Sequence, residues 1–150
     1  MPAPPVPPPL PPKPPAPGGG GAQGPASNRP RILVAEDDED LLRMMHRLLS
    51  SVADVAMAAD GEYAMQLLER GPLPQLLITD WMMPRKDGPT LVKEMKAIER
   101  MKNIPVVILT AKTAPRDVIA GINSGARHYL TKPFKPDELI TKVKKVLKLP

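Results

Sequence analysis

From Arg31 onward, short apolar runs alternate with longer stretches in which apolar residues return every three or four positions. The short runs, 31–35, 52–58, 75–79, 105–109 and 127–130, are bounded by turn residues and predict buried strands. The stretches between them predict helices. Leu41, Leu42, Met45, Leu48 and Leu49 share one face up to about Ser50. Asp60 caps a second helix over 61–70 that stops at Gly71. A third covers 89–100, with Leu91, Val92, Met95 and Ile98 on one side. Pro115 opens a fourth, which ends at Ser124-Gly125, and Pro136 opens a fifth, both suited to a first helical position. In the last, Leu139, Ile140, Val143, Val146 and Leu147 face inward, and Lys142, Lys144, Lys145 and Lys148 face water.

Five strands alternating with five helices predict an α/β fold, a doubly wound parallel sheet with helices on both faces and right-handed crossovers. Every strand-to-helix turn then opens on one edge of the sheet, where such folds bind ligands. Asp80 ends the apolar run Leu76-Leu77-Ile78-Thr79, ahead of a turn punctuated by Pro84 and Asp87-Gly88. Glu36, Asp37, Asp80, Thr110 and Lys132 all lie on or beside this edge, contributed by four separate turns.

Carboxylates gathered on one edge repel one another, and a divalent cation relieves that cost. Oxygen-only ligands suit Mg²⁺. Acidic residues ahead of a helix also complement its dipole. The run Glu36 to Asp40 is therefore divided, with Glu36 and Asp37 assigned to metal and Asp38 to Asp40 to the helix terminus. A metal-bound aspartate at position 80 can act as a nucleophile toward phosphorus and form an acyl phosphate. Lys132 and the Thr110 hydroxyl would then meet the phosphoryl oxygens. A lone Lys-Pro or a lone strand-end threonine carries no such message; the pair gains meaning jointly with Asp80.

Composition separates the chain into an arm, 1–30, and a folded part, 31–150. The arm holds 13 of the 22 prolines and 5 of the 10 glycines, and its only charges are Lys13 and Arg29. Proline fixes φ and removes the amide donor, so a disordered tether of polyproline II character is expected. Pro8-Pro9-Leu10-Pro11-Pro12-Lys13 also fits a peptide that docks in an aromatic groove. The glycine run is no phosphate loop, since no Gly-Lys-Ser/Thr follows it. The folded part carries 19 Lys and Arg against 16 Asp and Glu, a net of +3. That balance is too mild for direct nucleic-acid binding. The absence of cysteine excludes disulfides, thiolate catalysis and cysteine zinc sites. No apolar run is long enough to insert in a membrane, and the expected location is cytoplasmic.

Four motifs in order then resemble the receiver domain of two-component response regulators. They are Ile32-Leu33-Val34-Ala35-Glu36-Asp37, Thr79-Asp80-Trp81-Met82-Met83-Pro84-Arg85-Lys86-Asp87-Gly88, Val107-Ile108-Leu109-Thr110-Ala111, and Gly125-Ala126-Arg127-His128-Tyr129-Leu130-Thr131-Lys132-Pro133-Phe134. The resemblance implies a flavodoxin-like strand order 2-1-3-4-5. It implies that Asp80 accepts the phosphoryl group. Glu36 and Asp37 become the acidic pair, with Asp37 and the Met82 carbonyl contacting Mg²⁺. Lys132 becomes the phosphoryl-pairing lysine, its bond to Pro133 commonly cis. Thr110 and Tyr129 become a switch pair that remodels the last strand and its flanking helices. The implied partners are a sensor histidine kinase or phosphotransfer protein and a downstream protein effector. Two positions depart from the common pattern: Glu36, where many members have aspartate, and Arg127-His128, where an acidic pair is frequent. His46 and His128 lack the partners of a metal or phosphotransfer site.

Two other functions compete with a phosphorylation-controlled switch. A Mg²⁺-dependent phosphatase with an aspartyl nucleophile would need a second carboxylate two residues after Asp80, where Met82 stands. A scaffold acting through the arm would leave the five edge residues without purpose. Transcription factors of the family carry a DNA-binding domain after the last helix, and a chain that stops at Pro150 is not expected to contact DNA.

Overall fold

The computed structural model describes residues 29–110 and 126–149. The proline-rich arm to residue 28 and the helix expected over 115–124 lie outside the described residues. Five parallel strands, β1 (Arg31–Ala35), β2 (Asp54–Ala58), β3 (Leu76–Asp80), β4 (Val106–Thr110) and β5 (His128–Thr131), form one sheet in the order β2-β1-β3-β4-β5. The described helices are α1 (Glu39–Leu49), α2 (Gly61–Arg70), α3 (Gly88–Lys96) and α4 (Pro136–Leu147).

Alternation along each strand divides the core between two faces. Leu33, Leu77, Val106 and Ile108 point to the side covered by α2 and α3. Ile32, Val34, Ile78, Val107 and Leu109 point to the side covered by α1 and α4. The three inner strands are buried on both faces, which is why they read as continuous apolar runs rather than alternating ones. Strand β2 lies at an edge and exposes Ala56 and Met57.

Each helix begins where its sequence provides an acceptor. Asp38, Asp60 and Asp87 accept from the backbone amides of Leu41, Tyr63 and Thr90. Glu138 reaches back to the amide of Lys135 at 2.9 Å. The assignment of Asp38 to Asp40 to the helix terminus matches this: Asp38 caps α1, and Glu39 and Asp40 occupy its first turn. In α4, Leu139 and Val143 are fully buried while Ile140, Val146 and Leu147 pack at the margin. Of the four lysines expected in water, Lys145 and Lys148 are exposed and Lys142 and Lys144 are half-buried.

Several boundaries differ from those the sequence predicts. Strand β2 begins at Asp54, because the amides of Val52 and Ala53 fold back onto Leu49 O and complete the end of α1. Strands β3, β4 and β5 each begin and end one residue later than their apolar runs. Asp80 is thus the last residue of β3, paired with Leu109, and Thr110 is paired with Thr131. Helix α3 starts at Gly88 and stops at Lys96, with tighter turns carrying Ile98 and Met101 onward. Gly71 caps α2 in an extended conformation (φ −101°), so its role there does not depend on the left-handed region.

Candidate functional site

The parallel sheet delivers Glu36, Asp80 and Thr110 from the ends of β1, β3 and β4, and Lys132 from just beyond β5. The Lys132–Pro133 peptide bond is cis. Glu36 is fully buried, Asp80 and Thr110 nearly so, and Asp37 is exposed. One carboxylate oxygen from each of Glu36, Asp37 and Asp80 falls within 4.8 Å of the other two. Such an oxygen-only cluster, open on the Asp37 side, can hold a hard cation such as Mg²⁺. The reading of Glu36 and Asp37 as one pair with Asp80 therefore has the required proximity, even though 44 residues separate the motifs.

Lys132 lies among these carboxylates. Its Nζ is 2.7 Å from Glu36 Oε1 and 3.1 Å from Asp80 Oδ2. The second Glu36 oxygen accepts from the Asp38 amide at 3.0 Å. Asp80 Oδ1 accepts from the amide of Trp81 at 2.8 Å, so each oxygen of the aspartate is already directed by a donor. Burial is the main influence on Glu36 and pushes its pKa up to about 7. The Lys132 and Asp38 hydrogen bonds pull it back, and the charge of Asp80 adds to the rise. Burial alone would lower the pKa of Lys132, but its hydrogen bonds and charge attraction to Glu36 and Asp80 prevail and raise it. The lysine stays protonated across the physiological range.

The turn after Asp80 is fixed by close backbone approach. The amide of Gly88 donates to Trp81 O at 2.9 Å and closes the loop. A Cβ on Gly88 would lie 2.2 Å from the Asp80 carbonyl oxygen, so only glycine fits. Met82 lies on this loop and is 70% exposed. Tyr129 is half-buried, donates from its hydroxyl to Ala126 O at 3.3 Å and packs against the α2–α3 side of the core. Burial raises its pKa. His128 is half-buried among Lys142, Lys145 and Arg127. Burial first, and then those charges, lower its pKa. It is outside the carboxylate cluster. His46, on α1, likewise takes no part in it.

Sequence reasoning did not foresee that Glu36 anchors Lys132 across 96 positions, nor that Asp60 pairs with Arg85. No spacing rule connects such residues; only the strand order brings them together.

The family profile described as "Response regulator receiver domain" matches residues 32–144. The phosphate regulon transcriptional regulatory protein PhoB of Escherichia coli is 36% identical over 119 residues, covering 79% of this chain. The chain spans about half the length of that relative (52%). Chemotaxis protein CheY1 of Helicobacter pylori is 34% identical over 119 residues, covering 78% of this chain and 96% of that protein. Among solved structures, the receiver domain of the sensor histidine kinase PA1611 from Pseudomonas aeruginosa has a TM-score of 0.73 at 28% identity, covering 80% of this chain and 98% of that one. That structure holds a magnesium ion coordinated in its active-site cleft.

Proposed function

The chain belongs to the response regulator receiver family, and from that premise we propose that it is a phosphorylation-activated switch whose acceptor is Asp80. The observation that carries this reading is the placement of Lys132 Nζ between Glu36 and Asp80, two members of a carboxylate cluster whose third, Asp37, is exposed. A structural salt bridge needs one carboxylate; three carboxylates gathered with Lys132 on a sheet edge make a site that attracts a cation and then a phosphoryl group.

In this reading the Asp80 carboxylate attacks the phosphorus of a donor. A P–O bond to aspartate forms, the bond from phosphorus to the donor's nitrogen or oxygen breaks, and the donor leaves with that electron pair. Glu36, Asp37, Asp80 and the Met82 carbonyl would hold a magnesium ion, which would supply charge against the phosphoryl oxygens. Glu36 fixes the lysine head group, so Lys132 can exchange its Asp80 contact for the new phosphoryl oxygens without losing its position. The Thr110 hydroxyl, on the neighbouring strand, is drawn toward the added charge, and Tyr129 follows behind it. The changed surface around β5 and α4 then alters affinity for a downstream protein. The phosphoryl source is a sensor histidine kinase or phosphotransfer protein in the cytoplasm. The protein acts as a switch that assists its own modification rather than as an enzyme on another substrate.

The test is direct. With Mg²⁺ and a small phosphodonor, wild-type protein should gain an acyl phosphate labile to acid and base, and Asp80→Asn should gain none. Equal labelling of the two would place the acceptor elsewhere.

A further inference from the structure

The loop between β3 and α3 is pinned on its outer side by residues of α2. Arg85 Nη1 lies 2.9 Å from Asp60 Oδ2, an ion pair in which Asp60 is largely shielded. The other Asp60 oxygen is engaged as the cap of α2, accepting from Tyr63 N at 2.7 Å. The next residue, Gly61, lies against the loop backbone so closely that a Cβ there would be 2.1 Å from Lys86 O. Arg85 adopts φ 70°, in a region that non-glycine residues rarely occupy. Lys86 adds a 2.6 Å ion pair to Glu94 on α3. The loop therefore touches α2 at two adjacent points and α3 at a third.

We propose that the Arg85–Asp60 pair is a positioning device for the metal-facing backbone of this loop, setting the Met82 carbonyl against the carboxylates. The inference rests on the assignment of Met82 and the acidic cluster to Mg²⁺ made above. The loop from Trp81 to Gly88 is tied at its base by the Gly88–Trp81 hydrogen bond. Met82 follows directly from that base, and its exposed side chain contributes little packing of its own. Arg85, at the far turn, has φ 70° and is spanned by a 2.8 Å hydrogen bond from Lys86 N to Pro84 O; relaxation of that turn would rotate the peptide planes between it and Trp81. The ion pair opposes that relaxation. Asp60 is suited to the task because its cap bond to α2 fixes the carboxylate before Arg85 arrives. Neither residue touches the reacting atoms.

Two charge-removing variants separate positioning from folding. Asp60→Asn keeps an oxygen for the cap and removes the charge; Arg85→Gln keeps an unbranched polar side chain and faces the same φ. Mg²⁺ titrations followed by Trp81 fluorescence should show a loss of affinity of about tenfold in each, the scale of an outer-sphere partner. The double variant should be no weaker than either single one, and Arg85→Lys should recover part of the loss. Hydrogen exchange without metal should show faster exchange at the Lys86 and Gly88 amides in both variants, with the α2 amides unchanged. If wild type binds Mg²⁺ and both variants bind it as tightly, the positioning role is wrong while the metal assignment stands. If wild type shows no Mg²⁺ binding, both fall together. Losses that simply add in the double variant would also overturn the pairing.

Discussion

Lys132 Nζ lies 2.7 Å from Glu36 Oε1, closer than the 3.1 Å that separates it from Asp80 Oδ2. The lysine is thus held closer to the fully buried carboxylate than to the one at the end of β3. Glu36 has no exposed surface, so its charge is tolerated only while a cation stays beside it.

Removal of Lys132 should therefore be felt in stability as well as in chemistry. Lys132→Ala is expected to lose about 2 kcal/mol at pH 8, the cost of leaving a buried charged group unmatched. The loss should be smaller at pH 5, where Glu36 carries a proton. Thermal unfolding at the two pH values checks this; an equal loss at both would show that the pair is not the cause.

The pKa of Glu36 predicts a particular pH dependence. Its folded value is raised, from 4.5 to about 7. Below 4.5 the group is protonated in both states and contributes in full. As pH rises from 4.5 toward 7, the unfolded chain releases the proton while the folded one retains it, and stability declines. Relative to Glu36→Gln, wild type should lose on the order of 3 kcal/mol across that window and then level off. Denaturant midpoints measured at intervals from pH 4 to 8 would show the slope. A parallel pair of curves would refute it.

The division of the acidic run can be tested with metal. Asp37→Ala should weaken Mg²⁺ binding by more than the roughly tenfold typical of an outer-sphere residue. Asp40→Ala should change it little, because Asp40 lies in the first turn of α1 and outside the carboxylate cluster. Trp81 fluorescence reports both titrations, and comparable losses would erase the distinction.

Gly88 offers a steric probe of Asp80. In Gly88→Ala the new methyl would meet the Asp80 carbonyl oxygen at 2.2 Å, a contact that forces backbone to move. A destabilisation of about 1–3 kcal/mol is expected, together with slower phosphorylation of Asp80. Unchanged kinetics in a folded variant would mean that the end of β3 tolerates displacement.

Much of the fold could be read from apolar periodicity alone, because the inner strands are covered on both faces and the helices on one. The limits of that signal lie at polar strand ends. Asp80, Thr110 and Thr131 interrupt the apolar runs, yet the parallel hydrogen-bond ladder continues through them. Burial sets the run, and pairing sets the strand. Ile98 keeps helical spacing beyond Lys96, but there the chain tightens into turns, and no glycine or proline marks the change. At the site, the residue types and their positions on one edge were legible in the sequence. The partners of Glu36 and Asp60 were not, since Lys132 and Arg85 reach them from other elements. Strand order itself came from family resemblance, as the chain contains no local instruction for it.

The 96-residue span between Glu36 and Lys132 also orders events during synthesis. A ribosome delivers the amino-terminal part first. The three carboxylates of the cluster all emerge well before the strand that precedes Lys132. Until the segment after β5 joins the sheet, Glu36 and Asp80 lack their ion pairs with Lys132. The protein's own cation joins the cluster only with the segment that follows β5.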